Sequence, residues 1–214
     1  MALSITGATG AATSGAATSL TYSVTTAAGD DLLTVGCGLD TVTGITFNGS
    51  ALTQKVLENT VFTSALYYKV NPSITTANVV VSQSSTWEIS SGAIRFSGTN
   101  TGNPFGITNH AQSNSTTLAG TTSGNIVIDV LRNADQTSIM TVGGSQTQQW
   151  KNATTAGTGR NISGGSSQPA GGSITMTWTL SISDNPAICA MEVNAATGTT
   201  VNTLPSLSLM GVGM

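Results

Sequence analysis

Apolar side chains recur at every second position through most of this chain, in short runs bounded by glycine, asparagine, aspartate and proline. No other feature constrains the fold as tightly. Successive side chains of an extended strand point to opposite faces, so a period of two sends one face into a core and leaves the other polar. Leu20, Tyr22 and Val24 share one face of a first strand, and Leu33, Val35 and Cys37 share a face of the next. Asn48-Gly49 then stands between two strand-like arms, Ile45 to Phe47 and Ser50 to Leu52. Both central residues of that pair tolerate positive φ, as a two-residue hairpin requires. Further strands are expected within residues 61–70, which Asn71-Pro72 stops, and around residues 79–81, 93–96, 126–131, 139–142, 146–150, 174–180 and 187–193.

Two stretches break the pattern. Residues 98–124 are rich in Asn, Thr, Ser and Gly with Pro104, Phe105 and Ile107 as anchors, and read as a long loop with one weak edge strand at most. Residues 151–172 are polar and glycine-rich, and read as a flexible surface loop with room to contact a neighbour. Helical periodicity nowhere extends beyond a turn or two. Nine to eleven short strands in two packed antiparallel sheets are therefore expected. The fold class is all-β: a two-sheet antiparallel β-sandwich, jelly-roll-like, spanning residues 18–194, with extended arms at 1–17 and 195–214. A closed barrel and an immunoglobulin-like sandwich are the alternatives, because alternation leaves strand order open.

Composition narrows the partners. Only 7% of residues are charged, against about 25% in ordinary globular domains. Disorder is excluded, since disordered chains couple low hydrophobicity to high net charge, whereas here 38% of residues are hydrophobic and the net charge is −3. Lys55, Lys69, Arg95, Arg132, Lys151 and Arg160 are scattered singly, so no basic patch is available for nucleic acid. The first residues carry no secretory signal pattern, and no run approaches the roughly 18 apolar residues of a spanning helix. Cys37 and Cys189 sit in alternating strand patterns and are expected as buried free thiols, with a disulfide between them as the alternative.

Candidate chemistry is sparse. A Ser-His-Asp triad needs a basic histidine, and His110 is the only one, placed among polar residues without a Gly-x-Ser-x-Gly elbow. Asp30, Asp31, Asp40, Asp135 and Asp184 read as turn formers. Glu88, Asp129 and Glu192 fall on strands, facing solvent or pairing with Arg95 and Arg132. Asp30-Asp31 is too small a group for calcium, and no zinc spacing occurs. No catalytic, cofactor-binding or metal-ligating residue is assigned, and no enzymatic activity is expected. Trp178 alternates with Met176 and Leu180 and belongs to the core. Trp87 and Trp150 lie near strand ends, where a ring either caps the sandwich or stacks on a sugar. Expected partner or ligand contacts are Trp87, Trp150, Phe105 and, in the apolar tail, Leu207 and Met210.

The succession Asp31-Leu32-Leu33-Thr34-Val35-Gly36, Ile45 to Leu52 around Asn48-Gly49, Leu66-Tyr67-Tyr68-Lys69-Val70-Asn71-Pro72, Gly92 to Gly98 and Ile174 to Trp178 resembles a β-sandwich module of phage structural proteins and bacterial surface proteins. The resemblance covers about residues 18 to 194 and carries no functional residues. It implies a virion component made in the host cytoplasm, most simply a capsid decoration (cement) protein. Its partners would be the major capsid protein or copies of itself, with both arms ordering on docking. A tail or head fibre module and a carbohydrate-binding module are the alternative roles.

Overall fold

Extended backbone accounts for every regular element among residues 1–155 and 161–197, the residues described by the protein's computed structural model. In chain order the strands are β1 Ser4–Ala12, β2 Ala17–Thr25, β3 Leu32–Leu39, β4 Val42–Phe47, β5 Ser50–Ala51, β6 Thr53–Glu58, β7 Thr63–Val70, β8 Thr76–Trp87 and β9 Ser90–Ser97. They continue with β10 Phe105–Ala111, β11 Ser115–Thr121, β12 Ile126–Asn133, β13 Met140–Val142, β14 Thr147–Ala153, β15 Ile162–Pro169, β16 Gly172–Leu180 and β17 Ala187–Val193. All pair antiparallel. The all-β antiparallel sandwich agrees with the sequence, whereas the number of sheets does not: there are four, ordered β1-β9-β3-β7-β6, β2-β8-β4-β5, β10-β17-β12-β15-β14 and β11-β16-β13.

Three apolar clusters show how these sheets stack. Tyr22, Phe47, Val79 and Val81 of the β2 sheet meet Leu33, Val35 and Cys37 of β3. Leu118, Met176 and Trp178 of the β11 sheet meet Val127 and Leu131 of β12 in the same way. Between them the two five-stranded sheets pack against each other through Leu32, Leu66, Ile94 and Phe96 on one side and Ile128, Val130, Trp150 and Met191 on the other. The result is a four-layer stack in which β3 and β12 send alternate side chains to different clusters and are buried along nearly their whole length. Such doubly covered strands read as continuous apolar or small-residue runs instead of alternating ones.

The two halves repeat one plan. Exchanging β1, β2, β3, β4, β6, β7, β8 and β9 for β10, β11, β12, β13, β14, β15, β16 and β17 converts the first pair of sheet orders into the second, with β5 left over. The same exchange maps the packing between halves onto itself. β1 lies on β14 as β10 lies on β6, β9 on β15 as β17 on β7, and β3 on β12. The halves are thus related by an approximate two-fold axis, the geometry of an isologous interface within one chain.

Several sequence expectations fail here for one reason. Residues 98–124 form β10 and β11 instead of a loop, and residues 1–17 contribute β1, which pairs with β9, instead of an arm. Small polar residues make poor apolar signals, yet backbone ladders need no side chain. Most of 151–172 is likewise strand, and β15 is a buried inner strand despite reading Ile-Ser-Gly-Gly-Ser-Ser-Gln-Pro. Its glycines are required by tryptophan rings: a Cβ on Gly164 would stand 2.6 Å from Trp178, and one on Gly165 would meet Trp150. We expect Gly164→Ala to destabilise the protein by about 1–3 kcal/mol, the usual range for overpacking, measurable by urea denaturation. A change near zero would show that the Trp178 ring yields freely. The Asn48-Gly49 hairpin forms as expected, with φ of 50° and 71°. Of the C-terminal arm, Ala195 and Ala196 hydrogen-bond to Asn125 and Gly98, and residues 198–214 lie outside the described residues.

Candidate interaction surface

β3 and β12 run in the same sense, so the molecule has two poles. At the end of both strands, Asn161 Nδ2 donates to the Gly38 carbonyl at 2.6 Å, Thr63 pairs with Leu39, and Arg132 pairs with Ala187. The connections after β3, β6, β8, β12 and β16 gather at this loop pole. The opposite pole holds Met1 and the exit of the chain beyond Val193, where Thr99 bridges Ala195.

Side chains divide unequally between the poles. Val61, Trp87, Ile139 and Ile182 are exposed apolar residues at the loop pole, and Met1 and Ile74 are exposed at the terminal pole. Ile139 and Ile182 are neighbours, because the Ser181 N–H donates to the Ile139 carbonyl at 3.0 Å and the Ile182 N–H to Ser138 Oγ at 3.3 Å. Asp40, Glu58, Glu88, Asp135 and Asp184 also lie towards this end, with Arg132 and Lys151 as the cations among the described residues there. At the terminal pole Asp30, Asp31 and Glu192 are balanced by Lys55, Lys69 and Arg95.

Arg132 lies inside the loop pole, and its Nε and Nη1 have no hydrogen-bond partner among the described residues. It is buried, with its guanidinium 3.7 Å from the Phe62 ring centroid. Burial lowers its pKa to about 10, against the opposing influence of Asp40, Asp184 and Glu88, so it stays cationic at neutral pH. Glu88 is buried nearby, and neither carboxylate oxygen has a hydrogen-bond partner among the described residues. His110 is no isolated loop residue: its Nδ1 lies 2.7 Å from Glu58 Oε2, which ties β10 of one half to β6 of the other. Burial pushes the Glu58 carboxyl up, but hydrogen bonds from Thr60 and His110 hold it below its ordinary value.

Glu88, Asp129 and Glu192 are all buried, which removes the solvent-facing alternative, and Glu88 lies in the turn between β8 and β9 instead of on a strand, where its charge acts on Arg132. Glu192 accepts from the Thr122 N–H at 2.6 Å, from Asn125 Nδ2 at 2.8 Å and from the Ile107 N–H at 3.2 Å, holding β10 and β11 to β17. Arg95 pairs with Asp30 at 3.0 Å, so Asp30 is more than a turn former. Asp129 stands inside the second half at the place Val35 occupies in the first, 1% exposed. It accepts from the Ser166 N–H and Oγ at 2.8 Å each, from Trp178 Nε1 at 2.9 Å and from Gln146 Nε2 at 3.4 Å. Burial pushes its carboxyl up to about 6 despite these donors. Cys37 and Cys189 are free and buried, and burial raises both thiols, Cys37 to about 12.

The anticipated contact residues do not converge. Trp87 is 42% exposed at the loop pole, whereas Trp150 is 6% exposed and packed between the halves. Phe105 is buried, edge-on to Tyr68 with centroids 4.6 Å apart. Leu207 and Met210 lie outside the described residues. Val61, Ile139 and Ile182 were not anticipated. Their signal is a lone apolar residue inside a run of turn formers, as in Asn59-Thr60-Val61 and Ser181-Ile182-Ser183-Asp184. No protein-family model matches this chain, and no curated protein or solved structure matches it either.

Proposed function

We propose that this protein is a non-enzymatic structural component of a phage particle, a decoration protein bound to the outer surface of the capsid. The carrying observation is strand interleaving. Successive strands alternate between sheets so that β1-β9-β3-β7 faces β2-β8-β4-β5, the order in which a jelly roll folds, a plan common to viral capsid domains. The second half repeats it without a counterpart of β5. On this proposal two jelly-roll-like halves stack back to back, and the functional differences of the block lie in its poles. In this reading the terminal pole, from which the chain leaves towards residue 214, faces the capsid, and the loop pole faces outward. The partners are the major capsid protein and other copies of this chain.

The test is copurification with particles. A copy number matching the capsid lattice is expected, while restriction to one vertex or to the tail would instead indicate a fibre. Deleting residues 199–214 should leave the unfolding midpoint unchanged and reduce particle occupancy. Full occupancy after that deletion would remove the tail from the docking surface.

A further inference from the structure

We infer that the outer sheets carry two equivalent subsites for neutral saccharide units, one in each half. In the first half, the Asn48-Gly49 hairpin after β4 borders an open, shallow groove of about 400 Å³ along β8, lined by Thr46, Thr76 and Asn78 together with Ala77 and Val80. In the second half, the turn from Gly143 to Gln146 after β13 borders an open groove of about 250 Å³ along β16, lined by Gln168, Ser173, Thr175 and Thr177 together with Ile174. β4 and β8 are the counterparts of β13 and β16, so both grooves occupy one position in the repeated plan. They are the same feature twice, made from different residues.

Their chemistry selects the ligand class. Among the described residues neither lining contains a charged side chain, which argues against phosphates, acidic glycans and cations. Hydroxyls and carboxamides predominate, and these offer donors and acceptors together, as a polyol requires. Along each strand they repeat at about 7 Å, the spacing of residues i and i+2. Hydroxyl pairs orient the edges identically: Thr25 with Thr76 at 2.9 Å and Thr117 with Thr175 at 2.9 Å. In the second groove Gln146 is already fixed, accepting from the Thr177 N–H at 2.8 Å and donating to Ser166 Oγ at 2.6 Å. The wall is therefore ordered before a ligand arrives, which reduces the entropy lost on binding. No aromatic ring lines either groove, so each subsite is weak. Because the grooves lie on the two outermost layers, strong retention needs a polysaccharide or a glycan-bearing surface.

The test uses the full chain with dextran, mannan and galactomannan, their neutral trisaccharides, and heparin as a charged control. Retardation is expected in gels containing a neutral polysaccharide, with NMR shift changes from the matching trisaccharide concentrated at Thr76, Asn78, Ser173 and Thr175. Asn78→Ala and Thr175→Val, both at exposed positions, should each weaken trisaccharide binding at their own groove about three- to tenfold, the loss of one or two hydrogen bonds. The double variant should lose retention about ten- to a hundredfold, because the losses at the two sites of a bivalent contact multiply. Absence of binding to all three neutral polysaccharides, binding to heparin alone, shift changes elsewhere, or a double variant retained like wild type would each overturn the proposal. Particle association is a separate readout, so its failure and that of saccharide binding are distinguishable.

Discussion

Replacing Trp150 with alanine is expected to destabilise the protein by about 3–5 kcal/mol, the upper range for a core truncation. The ring belongs to β14 of the second half, yet it lies against Gly36 and Gly92 of the first half as well as Gly165 of the neighbouring strand. Three glycines have no side chains with which to refill the space, so the cavity persists and most of the dispersion contact is lost. Truncation should also loosen one half from the other, because this ring is the largest side chain in the cluster between them. Urea unfolding measures the first effect, and loss of coincidence between probes in the two halves measures the second. Trp87→Ala is the control: that ring is 42% exposed, and surface substitutions usually stay within about 0.5 kcal/mol. Equal destabilisation by the two variants would contradict the assigned role of Trp150.

The second large effect is a pH dependence from Asp129. Its carboxyl is pushed up to about 6 in the fold, against roughly 3.9 in an unfolded chain. A raised carboxyl favours the protonated form, so its contribution to stability is fully present below about pH 4 and is lost as pH rises through 6. The shift of about 2 units corresponds to roughly 3 kcal/mol in order of magnitude. Asp129→Asn cannot ionise and lacks this dependence. Between pH 4 and pH 7.5 the stability difference between the two proteins should therefore move by about that amount in favour of the variant. Paired urea titrations at several pH values give the answer, and a difference constant across the window would refute it. Trp178 supplies a local reporter, since its Nε1–H donates to this carboxylate at 2.9 Å, and its emission should titrate with a midpoint near 6.

Much of the strand content was legible, for particular reasons. The runs containing Leu20-Tyr22-Val24, Ile174 to Leu180 and Ala187 to Val193 became β2, β16 and β17 because each places apolar residues against a core. The Asn48-Gly49 turn was legible because few residue pairs adopt positive φ twice. β10, β11 and β15 were not, since their apolar content is small and their pairing is carried by backbone hydrogen bonds. The repeat left only a faint trace, the turn glycines Gly29 and Gly124, both at positive φ just ahead of β3 and β12. Of the proposed grooves, the Asn48-Gly49 turn was visible as a turn but not as a wall. The loop pole was missed because Val61, Ile139 and Ile182 come from three separate connections.

Local alternation and turn chemistry, properties of neighbouring residues, determined that the chain is extended, antiparallel and nearly free of charge on its faces. Tertiary structure alone decided that there are four layers, that two halves share one plan, and that glycines opposite tryptophans form an interior. Those outcomes depend on which strands, far apart in sequence, meet in space, and one strand's periodicity has no means of naming its partner.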